Sequence, residues 1–168
     1  MSRARQLVVP LAITSSVFAT ALAGGCSDDA DPENIDASPS CIEATTHADL
    51  EWLQPNVFTP GCSNFVSCHK GAATQAGGLN LEAGRTQAAL VNKPSTRFTT
   101  WTLAVPGDAV HSYLMVVLGQ YPGPLDDRIG TMPFNSRLLC REKRDAIERW
   151  IMAGAPGAMP VDAGVDAP

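Results

Sequence analysis

Cys62, Cys68 and His69 are the side chains of this sequence whose types and spacing could do chemistry together, reading C-S-N-F-V-S-C-H. Two thiols with an imidazole directly after the second is the order used for covalent haem attachment. There the sulfurs bond the porphyrin periphery and the imidazole ligates the iron. The usual interval between the two cysteines is two residues, and here it is five. The extra residues must loop outward, at small cost in chain entropy. The same cysteines could instead close a small disulfide and leave His69 at the surface, and on spacing alone that alternative stands slightly ahead. A zinc site is less attractive, because Cys62, Cys68 and His69 have no fourth ligand at finger spacing.

A haem iron that shuttles electrons between proteins takes a second axial ligand, and methionine is the one that raises its potential. Met132, in Gly130-Thr131-Met132-Pro133, is the candidate. The proline after it favours extended backbone, which suits presentation from a loop. Met115 and Met152 sit in helical patterns and are expected in the core. His47 and His111 are alternative iron ligands by type, but both lie in polar surroundings and are expected to be solvated. Asp126 and Asp127 follow the turn Tyr121-Pro122-Gly123-Pro124 and read as solvated acids. No Ser-His-Asp order, phosphate-cradling glycine loop or carboxylate pair stands out, so the expectation is a protein that is not itself an enzyme.

These groups must be positioned by short helices separated by long turn-rich connections. A first helix is expected over 48–58, with Leu50, Leu53 and Val57 on one face and Pro55 as a break or kink. A second is expected over 82–91, burying Ala88 to Val91. A third follows Val105-Pro106-Gly107-Asp108, with Asp108 as N-cap and Tyr113, Leu114, Val117 and Leu118 as its apolar stripe. The strongest pattern runs from Cys140 to Ala153, where Ala146, Ile147, Trp150 and Ile151 recur at helical spacing opposite Arg141, Glu142, Arg144, Asp145, Glu148 and Arg149. Trp52, Trp101 and Trp150 fit core positions. No run alternates as a strand does, so the domain should be mainly α, with irregular loops.

The N-terminus carries Arg3 and Arg5 and then an apolar run from Leu7 to Ala23, which reads as an export signal. It ends Leu22-Ala23-Gly24-Gly25-Cys26, which resembles the lipobox of bacterial lipoproteins, with Leu22 four rather than three positions before the cysteine. The resemblance implies removal of residues 1–25 and lipidation of Cys26, holding the protein at a membrane surface. Processing there would leave 143 of the 168 residues, enough for one domain, and would move the formal charge from −5 to −7. A nucleic-acid partner does not fit that charge. Residues 26–40 read as an acidic disordered tether, and residues 156–168 as a disordered Ala/Pro/Asp tail.

The succession NVFTPGC, CHKG, AGGLNL, AALVN, VPGD, SYL, TMP and IERWIMAGA, from Asn56 to Ala155, resembles the small cytochrome c-like domains of exported bacterial proteins. That resemblance implies a small helical domain over 41–155 in which the first and last helices cross. It implies covalent haem c, with Cys62 and Cys68 as thioether sites, His69 as the proximal iron ligand and Met132 as the distal one. Cys41 and Cys140 then remain as a disulfide pair. The implied function is a membrane-tethered electron carrier with redox protein partners, anchored in the cell envelope at an outer membrane facing periplasm or surface. The alternatives are a haem-free, disulfide-stabilised lipoprotein module for structural or protein-contact roles, and an accessory domain serving a separate oxidase or dehydrogenase.

Overall fold

The computed structural model describes residues 38–158. The expected export signal, Cys26, the tether before Ser38 and the tail beyond Ala158 lie outside the described residues. Helix α1 is Pro39–Ala44, α2 Leu50–Leu53, α3 Thr59–Gly61, α4 Thr86–Leu90, α5 Tyr113–Val117 and α6 Arg141–Met152. Among the described residues β-structure is limited to isolated bridges such as Val91 with Ala104 and Thr102 with Ser112. The domain is therefore mainly α, with long irregular loops.

The longest element, α6, buries Ala146, Ile147, Trp150 and Ile151, the face that their spacing defines. Trp150 is fully buried, meets Phe58 edge-on at 6.2 Å and donates its indole N–H to the Pro156 carbonyl at 2.9 Å. Folded packing thus reaches Pro156, where the tail was expected to start. Arg144, expected on the solvated face, is buried and donates to the Gly119 carbonyl at 3.2 Å. Met152, expected in the core, is exposed.

Helix α1 begins at Pro39, two positions ahead of the expected domain boundary at Cys41, because proline suits the first turn of a helix, where its missing N–H goes unused. It packs on α6. A Cys41–Cys140 disulfide joins them, with Cα atoms 6.3 Å apart across 99 positions of sequence. Arg149 adds hydrogen bonds to the carbonyls of Ala44 at 2.6 Å and His47 at 2.9 Å.

Pro55 does not break the helix expected over 48–58. From Leu50 the run continues to Gly61, because a π turn over Gln54–Phe58 widens the backbone around the proline. Asn56 Nδ2 donates to the Trp52 carbonyl at 2.9 Å. Pro60 has no N–H for the Asn56 carbonyl, and Lys143 Nζ supplies the donor at 3.1 Å. Leu53, Val57 and Phe58 are buried against α6 and the rest of the core.

The next two helices are shorter than their patterns. Helix α4 starts only at Thr86, since the Glu82 carboxylate is turned back onto Gly71 and Asn80. Helix α5 opens at Ser112 rather than Asp108. Asp108 instead accepts from the His111 N–H at 3.1 Å, and Ser112 Oγ donates to the Asp108 carbonyl at 2.7 Å.

Candidate functional site

Cys62 leaves the end of α3, where the N–H groups of Cys62 and Ser63 both donate to the Phe58 carbonyl, at 3.0 and 2.9 Å. Its side chain packs against the core. The chain then swings outward through Asn64–Ser67, and Phe65 and Val66 are 63% and 83% exposed. It returns through a turn in which Cys68 N–H donates to the Phe65 carbonyl at 3.0 Å. His69 N–H then donates to the Cys62 carbonyl at 3.0 Å, closing the loop at its base. With two residues between the cysteines, the same donor and acceptor would be four positions apart and their bond an ordinary helical one. Here the bond spans the longer interval, and the additional residues bulge into solvent.

The His69 ring is fixed from behind. Nδ1 lies 3.1 Å from the Leu79 carbonyl. A carbonyl can only accept, so Nδ1 carries the proton and Nε2 presents a lone pair, the form that ligates metal. Burial holds the imidazole below its ordinary value of 6.5, outweighing the opposite pull of the Leu79 bond, so the ring is neutral at neutral pH.

Both cysteines are free thiols in this structure. Burial, reinforced by the neighbouring Cys68, pushes the Cys62 thiol up to about 12. Met132 lies on the loop before α6. Its N–H donates to the Val117 carbonyl at the end of α5 at 2.7 Å, and its half-buried side chain packs on the core. Farther along that loop, Leu139 Cδ2 is 3.6 Å from where a Cβ on Gly61 would sit, next to Cys62. Phe134 and Leu138, on the same loop, are exposed.

Two other histidines have local occupations. His47 stacks on Trp52 with ring centroids 4.6 Å apart and bonds Asp49 at 3.1 Å. His47 is therefore half-buried rather than solvated. His111 is exposed and bonds Asp108 at 2.7 Å. Asp126, expected to be a solvated acid, pairs with Arg97 at 3.2 Å.

Among the described residues, one group of three His, Cys or carboxylate side chains gathers within 4.8 Å, namely Cys41, Cys140 and Glu142, and its two sulfurs are bonded to each other. Cys62, Cys68 and His69 do not converge in that way, which argues against a zinc chelate. Haem imposes no such convergence, since its thioethers form at the ring edge and only the imidazole meets the iron. One surface cleft is lined by residues that include Tyr121, Arg141 and Glu148. A second is lined by Thr59, Ser63, Lys70, Glu82, Ala83 and Arg85, and it adjoins Cys62 and His69 in sequence. Neither is lined by Cys62, Cys68, His69 or Met132.

The sequence reading missed Leu79, Asn80 and Glu82, which hold the His69 segment from one side. Leu79 acts through a backbone carbonyl, which has no signature in side-chain identity. The alternation Leu79, Asn80, Leu81, Glu82 was the available signal. Comparison with protein-family models, with curated proteins and with solved structures finds no match to this chain, so the functional reading stands on the site itself.

Proposed function

We propose that this protein is a lipid-tethered electron carrier with a cytochrome c-like domain and one covalently attached haem. The observation that carries the reading is the state of His69, a neutral imidazole fixed by a backbone acceptor at Nδ1 with Nε2 left to ligate, beside two unpaired thiols. Cys62 and Cys68 would hold the porphyrin through thioether bonds, with His69 as its proximal iron ligand and Met132 as the distal one. Haem supplies a one-electron iron couple when bound. The chain's own residues set the geometry of that couple. The Leu79 carbonyl orients the imidazole, and the Val117 carbonyl tethers the Met132 backbone. Cys26 carries the lipid, residues 27–40 tether the domain, and the partners are redox proteins of the cell envelope.

Expression with a cytochrome-maturation system tests this directly. The expected product is red, shows reduced c-type absorbance and has an intact mass increased by one haem, and His69→Ala loses the low-spin spectrum. Colourless material with Cys62 and Cys68 oxidised to each other would overturn the reading in favour of a haem-free module. In the same cells Cys26→Ser should leave the membrane fraction.

A further inference from the structure

We propose that Asn80 and Glu82 are positioning residues that aim the His69 imidazole, acting through the Leu79 carbonyl; this rests on His69 being the iron ligand. Segment Leu79–Glu82 lies along His69–Gly71 and grips it at four points. Leu81 N–H donates to the His69 carbonyl at 2.8 Å, and His69 Nδ1 donates to the Leu79 carbonyl at 3.1 Å. Asn80 Nδ2 donates to the Gly71 carbonyl at 2.8 Å, and Gly71 N–H donates to Glu82 Oε2 at 3.0 Å.

The two side chains are also locked to each other. Asn80 Nδ2 donates to Glu82 Oε2 at 2.9 Å, and Glu82 N–H donates to Asn80 Oδ1 at 2.9 Å. Leu81 is buried and Leu79 packs on the core, so the alternating Asn80 and Glu82 turn the other way, as successive residues of extended chain do. The Leu79 carbonyl and the Asn80 N–H belong to one rigid peptide plane. Holding Asn80 therefore holds the oxygen that selects the imidazole tautomer. The loop from Gly71 to Asn80 contains left-handed residues at Gly71, Ala73, Gly77 and Gly78 and only one fully buried side chain, Ala73. Packing of Leu79 and Leu81 places the segment, and the polar clamp holds the Leu79–Asn80 peptide against Gly71.

Three variants of the full chain separate this role from general loop stability. Asn80→Asp keeps the shape and the acceptor for Glu82 N–H, but removes both donors and sets a second carboxylate against Glu82. Glu82→Ala removes the acceptor for Gly71 and Asn80, whereas Glu82→Gln keeps an oxygen there. Nitrogen-15 spectra of the haem-free protein should show His69 with its proton on Nδ1 alone in the native chain. In Asn80→Asp and Glu82→Ala the Nε2–H form should appear, and exchange of the Nδ1 proton should quicken about tenfold, the factor for one ordinary hydrogen bond. Glu82→Gln should restore the native pattern. With haem attached, the two disruptive variants should raise the midpoint potential, because a ring that donates less at Nδ1 gives less electron density to ferric iron.

An unchanged tautomer and unchanged Nδ1 exchange in folded Glu82→Ala, even with a faster Gly71 amide, would overturn the proposal; should Asn80→Asp not fold, the Glu82 pair decides it. A chain that takes up no haem but whose His69 tautomer responds to these variants would support the clamp and overturn the electron-carrier reading.

Discussion

The region where α1 and α2 pack on α6 and the segment from Cys62 to Gly84 are held by different forces. In the packed region, Leu53, Phe58, Ile147, Trp150 and Ile151 are wholly buried, a disulfide ties α1 to the start of α6, and Arg149 reaches to the carbonyls of Ala44 and His47. From Cys62 to Gly84, only Ser63, Ala73 and Leu81 are buried, and the chain is shaped by hydrogen bonds between neighbouring turns. Apolar burial stabilises without direction, whereas hydrogen bonds fix orientation while adding little net stability. The packed end supplies most of the apolar burial of the domain, and the polar end fixes the orientation of the His69 ring.

The disulfide is the largest single constraint in the packed region. Cys41 and Cys140 close a loop over a sequence separation of 99, and a closed loop of that length contributes roughly 4.7 kcal/mol in the chain-entropy view. The double variant Cys41→Ser, Cys140→Ser should lose about that much in urea unfolding, and a loss of under about 1 kcal/mol would show that α6 is held by packing alone. Next in size is Trp150→Ala, which should cost about 4 kcal/mol through the cavity it leaves against Phe58. Unfolding followed by far-ultraviolet circular dichroism measures that loss.

The same contrast explains what the sequence could disclose. The buried stripe of α6 was legible because the spacing of Ala146, Ile147, Trp150 and Ile151 is set by helix geometry alone. C-x5-C-H was legible as a motif, and its outward bulge followed from the count of residues. Contacts with distant partners were not legible. Arg144 reads as a surface charge until the Gly119 carbonyl is placed beside it. Pro55 reads as a helix break until the π turn over Gln54–Phe58 is seen. Asp108 reads as the cap of α5 until its side chain is seen on His111, and α5 opens at Ser112, whose Oγ accepts the Val105 N–H at 2.8 Å and makes no cap bond to the helix. The Leu79 acceptor was hidden for a different reason, since every residue carries a carbonyl.

The smallest expected effect belongs to a directional hydrogen bond placed in the packed region. Asp49 caps α2 by accepting the Trp52 N–H at 2.7 Å. Burial would raise its carboxyl, but the Trp52 bond and the neighbouring His47 outweigh that and leave it below its ordinary value of 3.8. The folded state therefore prefers the ionised form, and the unfolded chain binds the proton more readily. The cap's contribution is present above pH 3.8 and is lost as pH falls through the lower folded value. Asp49→Ala should cost about 1 kcal/mol at neutral pH and should flatten the acid limb of the stability profile. Asp49→Asn, which keeps an oxygen for the Trp52 N–H, should retain most of the stability and flatten the same limb. If instead Asp49→Asn costs as much as Asp49→Ala, the charge beside His47 rather than the cap is what α2 uses, and the packed end depends on electrostatics more than its burial suggests.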